Sequence, residues 1–231
     1  MTLVAIHQPA FLPWLGWWDK LVRADVFVLL DDVQFPKKGG SWMNRVQMLV
    51  NGEPRWVTVP VDRAYHGVRT VRETRIDDEW PWRDKVAKTI AASYGRAEFF
   101  GDVGPLVDEL LHRPEERIAE LNEAAIRAIA ERLSLDVSKL VRQSELEVTG
   151  TGTDLLVDLC TSIGATAYLT GDGADGYLEP EKFAAAGLEL LRQNFEPQRY
   201  PQPAPDHVPG LSIVDALMNC GWGGTSALLA R

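Results

Sequence analysis

The chain has 231 residues and a mass of 25.7 kDa, which suits one domain with an appended subdomain and excludes both a peptide module and two full-sized domains. With 45% hydrophobic and 25% charged residues, it has enough apolar surface to offset its ordering entropy, so disorder is excluded as its main state. Its net charge of −9 argues against a general nucleic-acid coat.

The first seven residues lack a basic region and run straight into strand-like sequence, so no signal peptide is expected. No apolar run reaches the roughly 18 residues of a membrane span. Cys160 and Cys220 lie in helix-like apolar sequence and give no metal or disulfide framework. A cytoplasmic protein is the expectation, with no membrane partner.

Val4-Ala5-Ile6 reads as a buried strand that stops at His7-Gln8-Pro9. Trp14, Trp17, Trp18, Leu21 and Val22 then fall on one face of a helix. After Asp25, Val26 to Leu30 is a continuous run of β-formers, as suits a strand covered on both faces. Strand, helix and strand in this order make a right-handed βαβ unit over residues 1–36.

Residues 37–78 form a basic β-hairpin region. Asn51-Gly52 separates strands at Arg45–Val50 and Glu53–Val61, and Val57, Val59 and Val61 give the second an aliphatic face. From Lys37 to Arg75 there are eight bases and three acids, a local charge of +5 in a chain whose remainder carries −14. Such an island suits an anionic small molecule or a docking patch, and a solvated hairpin face equally well.

Residues 79–148 read as helical, with helices at Trp82–Tyr94 and Pro114–Leu133 and Pro114 in the first turn of the second. Residues 149–231 form a C-terminal α/β half. In it a helix at Asp154–Ile163 precedes a strand at Ala165–Thr170, and a helix near Pro180–Ala186 precedes a strand at Leu188–Phe195. Ser212 and Asp215 make a capping-box-like start for a short helix, Ile213 to Cys220, which Gly221 stops. The fold class is therefore α/β: a Rossmann-like parallel-core sheet with a β-hairpin insertion and a helical segment.

In such a sheet, ligands sit outside the carboxyl ends of the strands. His7-Gln8, Asp31-Asp32-Val33-Gln34 and Gly171-Asp172-Gly173 each end a strand, so they are expected to converge. His7 can serve as acid or base near neutral pH. Asp31 and Asp32 point to opposite faces, so only one easily meets His7, where it can orient the imidazole or hold an amine. Adjacent acids can also bind Mg²⁺, but no third ligand is apparent and no metal is expected. Lys37, Trp42, Asn44 and Arg45 are candidates for binding an anion and stacking on a ring, with Arg45 the fork-shaped donor. Gln8, Gln34, Gly171, Asp172, Gly173 and Tyr177 complete the candidate binding set, and Trp222 is a second candidate for stacking. No hydrolase elbow or triad order stands out.

The His7-Gln8-Pro9 and Asp31-Asp32-Val33-Gln34 motifs resemble the WbqC-like family, as do Trp42-Met43-Asn44-Arg45, Val57 to Val61 and Leu211 to Asp215. The likeness covers nearly the whole chain. It departs at Val86, where a histidine is expected after Lys85. The resemblance implies a place in O-antigen or natural-product biosynthesis and, for some members, glycine or aminoacyl transfer. The first strands are also similar to nucleotidyltransferase-type folds such as pantothenate synthetase, but Trp14-Leu15-Gly16-Trp17 stands where that signature needs histidines.

The leading expectation is a transferase that moves an acyl or aminoacyl (glycine) group onto an amino sugar or a natural-product (antibiotic) intermediate. His7, Asp31 and Asp32 would be catalytic, and aminoacyl-tRNA or a carrier protein would be the donor. No cofactor is expected. The alternatives are an ATP-using amide-forming ligase and a non-catalytic scaffold that binds a carrier protein. The sequence leaves the oligomeric state open.

Overall fold

The computed structural model describes residues 1–171, 173 and 178–230. Its core is a five-stranded sheet made of β1 (Leu3–His7), β2 (Val26–Leu29), β5 (Leu140–Arg142), β6 (Ala167–Thr170) and β7 (Glu189–Arg192). The spatial order is β5-β2-β1-β6-β7, and every pairing is parallel. Strands are added outward from β1 first on one side and then on the other, so the winding reverses between β1 and β6. A crevice opens at such a reversal, beyond the carboxyl ends of both strands.

Side-chain alternation sorts the two faces. Leu3, Ala5, Phe27 and Leu29 join one core with α1 (Leu15–Arg23), α4 (Ile118–Arg132) and the front of α7 (Ile213–Leu229). Val4, Ile6, Val28 and Leu30 join another with α5 (Gly152–Ser162) and α6 (Pro180–Ala185). Helices on both faces explain why these strands read as unbroken apolar runs. Trp17 and Trp18 of α1 are fully buried against the first core. Each such indole removes roughly 150–250 Å² from water, about 4–6 kcal/mol of hydrophobic stabilisation.

The hairpin β3 (Arg45–Val50) and β4 (Glu53–Thr58) forms its own antiparallel pair, shorter than the expected reach to Val61. Asn51 (φ 54°) and Gly52 (φ 78°) both take the left-handed backbone that a two-residue turn needs. Val57, Val59 and Val61 are buried while Trp56 stays exposed, so the aliphatic face packs inward.

The structure corrects several expectations. The helix expected from Pro114 begins at Ile118 (α4), because residues 114–117 run extended against the segment after the hairpin. There Ile76 N–H donates to Glu116 O (2.8 Å), Arg75 and Arg117 form a bridge, and Arg113 pairs with Glu115. The region read as helical also contributes β5 and a further helix, α3 (Phe100–Leu111). α3 carries Gly101, Gly104 and Pro105, weak helix formers, and is held by the buried stripe Val103, Val107, Leu110 and Leu111. The last helix does not end at Gly221. The backbone breaks there (φ 66°, ψ −177°) and helix resumes to Leu229, which places Trp222 in α7 rather than in a loop.

The capping box is also revised. Ser212 Oγ does accept from Val214 N–H (3.2 Å), but the Ser212 amide is taken by Gln47 O (2.8 Å). The Asp215 carboxylate turns instead to the tyrosines Tyr94 and Tyr200, each 2.8 Å away. Tyr94, at the end of α2 (Trp82–Tyr94), also accepts from Leu49 N–H (2.9 Å), so this cluster ties the hairpin, α2 and α7 together.

Candidate functional site

A cavity of about 750 Å³ opens at the reversal point. Its walls are the end of β1 (Ile6, His7, Gln8), the segment after β2 (Asp32, Gln34), the start of α5 (Thr151, Gly152) and the end of β6 (Thr170, Gly171, Gly173). Lys20 reaches in from α1.

His7 is half-buried where β1 stops. Its Nδ1 lies 3.0 Å from the carbonyl of Gln8, to which the neutral ring donates. That bond assigns the tautomer and leaves the lone pair on Nε2. Burial, then the charge of Lys20, push the imidazole down to about 4, and the Gln8 carbonyl opposes them only in part. His7 is thus a neutral acceptor throughout the physiological range.

Lys20 was not apparent from sequence. It lies next to the aromatic face of α1 and is only 4% exposed, and Nζ donates to Ile6 O at 3.1 Å. Its neighbour Asp19 is also buried and accepts from Gln193 Nε2 (2.8 Å). No local pattern marked it: α1 is buried from Leu15 to Leu21, so its charges do not have a solvent face to themselves.

The two aspartates part company. Asp31 turns to the α1/α4 side, where Ser144 donates both N–H (3.0 Å) and O–H (2.7 Å) to it. It lines a smaller cavity of about 170 Å³ that also holds Arg72, Arg117 and Arg142. Asp32 lines the His7 cavity, with Oδ1 2.6 Å from Arg72 Nε. Period-two alternation thus continues past the end of β2 and sends only one carboxylate toward His7.

Gln8, Gln34, Gly171 and Gly173 share the cavity with His7 and Asp32. Asp172 and Tyr177 lie outside the described residues. Lys37, Trp42, Asn44 and Arg45 do not line this cavity. Lys37 Nζ donates to Tyr65 O (2.8 Å), and buried Asn44 donates to Val59 O (3.1 Å). Arg45 stacks on Trp56 at 4.2 Å, with Trp42 edge-on to the same ring. These contacts brace the hairpin. Val86 lines a separate apolar groove with Trp56 and Trp80, away from His7. Among the described residues, no group of three or more His, Cys, Asp or Glu side chains is placed to hold a metal. None of their helices is long and apolar enough to cross a membrane.

Compared with known families, residues 8–227 match the WbqC-like protein family. The chain belongs to that family. It is also similar to the uncharacterized protein Rv1507c of Mycobacterium tuberculosis (strain ATCC 25618 / H37Rv). The two are 28% identical over 223 residues, which is 96% of this chain and 95% of that one. No solved structure matches significantly. In this member of the WbqC-like family, both distinctive motifs, His7-Gln8-Pro9 and Asp31-Asp32-Val33-Gln34, contribute to the walls of the reversal-point cavity.

Proposed function

We propose that this protein is a biosynthetic transferase that moves an acyl or aminoacyl group onto the amine of an amino sugar or natural-product intermediate, with His7 as the general base. The observation that carries the reading is a histidine held neutral, with its tautomer assigned, in the crevice at the reversal point of the parallel sheet. An attacking amine becomes strongly acidic as its nitrogen bonds to the acyl carbon, so even a weak base suffices to take its proton. The C–N bond forms, Nε2 takes the proton, and the C–O or C–S bond to the donor breaks as the leaving group receives that proton. Asp32 offers its second oxygen to the acceptor amine, and the bare backbone at Gly171 and Gly173 suits the developing oxyanion. The donor is an aminoacyl ester on tRNA or a thioester on a carrier protein, in keeping with the basic stretch from Lys37 to Arg75.

The test supplies acyl and aminoacyl thioesters with amino-sugar acceptors and detects amide products by mass spectrometry. His7→Gln is expected to lower turnover by about 10² or more with an unchanged melt. Once corrected for the fraction of acceptor amine that is unprotonated, kcat/KM is expected to stay flat from pH 5.5 to 8 and to fall only as His7 takes a proton near pH 4. Full activity in His7→Gln overturns the reading. ATP-dependent pyrophosphate release would favour the ligase reading instead, which the strand order and the start of α5 at the crevice also support.

A further inference from the structure

The hairpin leaves one strand edge open. Val59 N–H donates to Asn44 O (2.8 Å), and the same register pairs Val57 with Val46 and Arg55 with Met48. Pairs that exchange hydrogen bonds alternate along an antiparallel ladder, so Val57 and Arg55 face β3 and the backbone groups of Trp56 and Thr58 face outward. The far edge of β3 is covered, since Gln47 O accepts from Ser212 N–H and Leu49 N–H donates to the Tyr94 hydroxyl. Among the described residues, none bonds the outward backbone groups of Trp56 and Thr58. Pro54 lies on that same side, where its missing N–H breaks no ladder bond.

A groove of about 590 Å³ runs along this edge. Consecutive residues from Arg55 to Thr58 line it, as they would beside the edge of a strand rather than one of its faces. The other wall is α2, through Trp82, Lys85, Val86 and Thr89, which recur at the spacing of one helical face. Trp80, just before that helix, is 72% exposed, and Trp56 is 43% exposed. Two indoles left in water beside an open strand edge mark a surface that binds something. Of the described residues that line the groove, the charged ones are Arg55 and Lys85, both cationic. Arg55 pairs with Glu53. The acids beside the first turn of α2 are engaged elsewhere, Asp78 by Arg83 and Trp82, and Asp84 by His112. The exposed Lys85 is therefore left to give the groove its positive charge.

We propose that this groove docks an extended peptide segment of a partner protein, which adds a strand to β4 and sets an acidic side chain against Lys85. A strand edge facing a helix across a groove is suited to strand addition. Main-chain bonds to Trp56 and Thr58 supply affinity, and alternate side chains of the peptide enter the space between Trp56, Trp80 and Val86, which selects apolar residues. The two exposed indoles are the anchors. The groove lies apart from the His7 cavity, so the docking site does not depend on the transferase reading.

The experiment selects octapeptides from a random display library on the intact chain and titrates capped synthetic copies of those enriched. Enriched peptides are expected to alternate apolar residues and to carry an Asp or Glu. Binding is expected to slow hydrogen exchange at the Trp56 and Thr58 amides by about tenfold or more. N-methylation of every second peptide residue is expected to abolish binding in one phase of the alternation and to be tolerated in the other. Trp80→Ser and Lys85→Glu change exposed side chains and are expected to keep the wild-type melt. The first should weaken the peptide by about tenfold or more, and the second several-fold, with the loss largest at low salt. The proposal is overturned if no peptide is enriched, if wild type and Trp80→Ser bind equally, if both amides exchange as before, or if N-methylation is tolerated in both phases. A concentration-dependent dimer by ultracentrifugation that protects the same amides also overturns it, because the occupant is then a second copy of this chain.

Discussion

Ser144 engages both carboxylate oxygens of Asp31, Oδ1 through its backbone amide and Oδ2 through its hydroxyl. The pair joins the end of β2 to the turn after β5, two neighbouring strands of one sheet. Asp31 is 5% exposed, whereas Asp32 next to it is half-buried and paired with an exposed arginine. Adjacent acids of the same kind therefore hold different positions, one bound to Ser144 beside the smaller cavity and one in the His7 cavity.

Asp31→Ala is expected to destabilise the protein by about 3 kcal/mol, because it leaves two donors of Ser144 without their charged acceptor. For a chain of this size that corresponds to a melting-point drop of roughly 6–12 °C. Asp32→Ala removes an ion pair whose arginine is 51% exposed, so it should cost under about 1 kcal/mol. Thermal melts of the two variants, run side by side, check the asymmetry. Equal losses would mean that the two carboxylates are not divided in this way.

The Asp215 cluster predicts a pH dependence. Burial raises the Asp215 carboxyl above its ordinary value even though Tyr200, Tyr94 and Gln202 all donate to it. The native state then holds that proton more tightly than the unfolded chain, so this group's contribution is largest in acid and declines as pH rises from about 4 toward neutrality. Asp215→Asn removes that slope. It also leaves one tyrosine hydroxyl facing an amide N–H₂, a cost of about 1–3 kcal/mol. Chemical denaturation from pH 4 to 7 should show the gap between wild type and variant narrowing with rising pH. A gap that stays constant or widens contradicts the assignment.

Gly221 offers a steric test. At φ 66° and ψ −177° its backbone conformation is essentially confined to glycine. An added Cβ would also stand 2.6 Å from the Phe99 ring. Gly221→Ala should therefore lower stability by at least about 2 kcal/mol, while Gly223→Ala, whose Cβ would meet nothing within 4 Å, should be neutral or better. Paired urea titrations decide it.

The candidate site was legible, as a shared cavity, where it depended on strand ends. His7-Gln8-Pro9, Asp32 with Gln34, and Gly171 each follow an apolar run, so their shared position at one edge of the sheet was visible in the order of residues. Lys20 was not, because its role depends on how deeply α1 is enclosed and on which backbone carbonyl its ammonium meets. The residues Lys37, Trp42 and Arg45 carried a strong charge and ring signal, yet they lie outside the His7 cavity and contact Tyr65 and Trp56 instead. Residue type says what a side chain can bind, not what already occupies it.

By itself the sequence determined the elements whose causes are local. Asn51-Gly52 imposes the hairpin turn, Ser212 caps α7, the Trp17 and Leu21 stripe makes α1, and the apolar runs make β1, β2 and β6. Only the tertiary structure decided β5, three residues whose hydrogen bonds come from β2, distant along the chain. It alone decided α3, whose weak formers are held by burial, and the late start of α4, where extended pairing with residues 75 and 76 replaces a helical turn. It also assigned Asp215 to Tyr94 and Tyr200 rather than to a cap. In each of these cases the deciding partner lies outside any local window of sequence, and burial or a long-range hydrogen bond outweighs a backbone preference of only about 1 kcal/mol per residue.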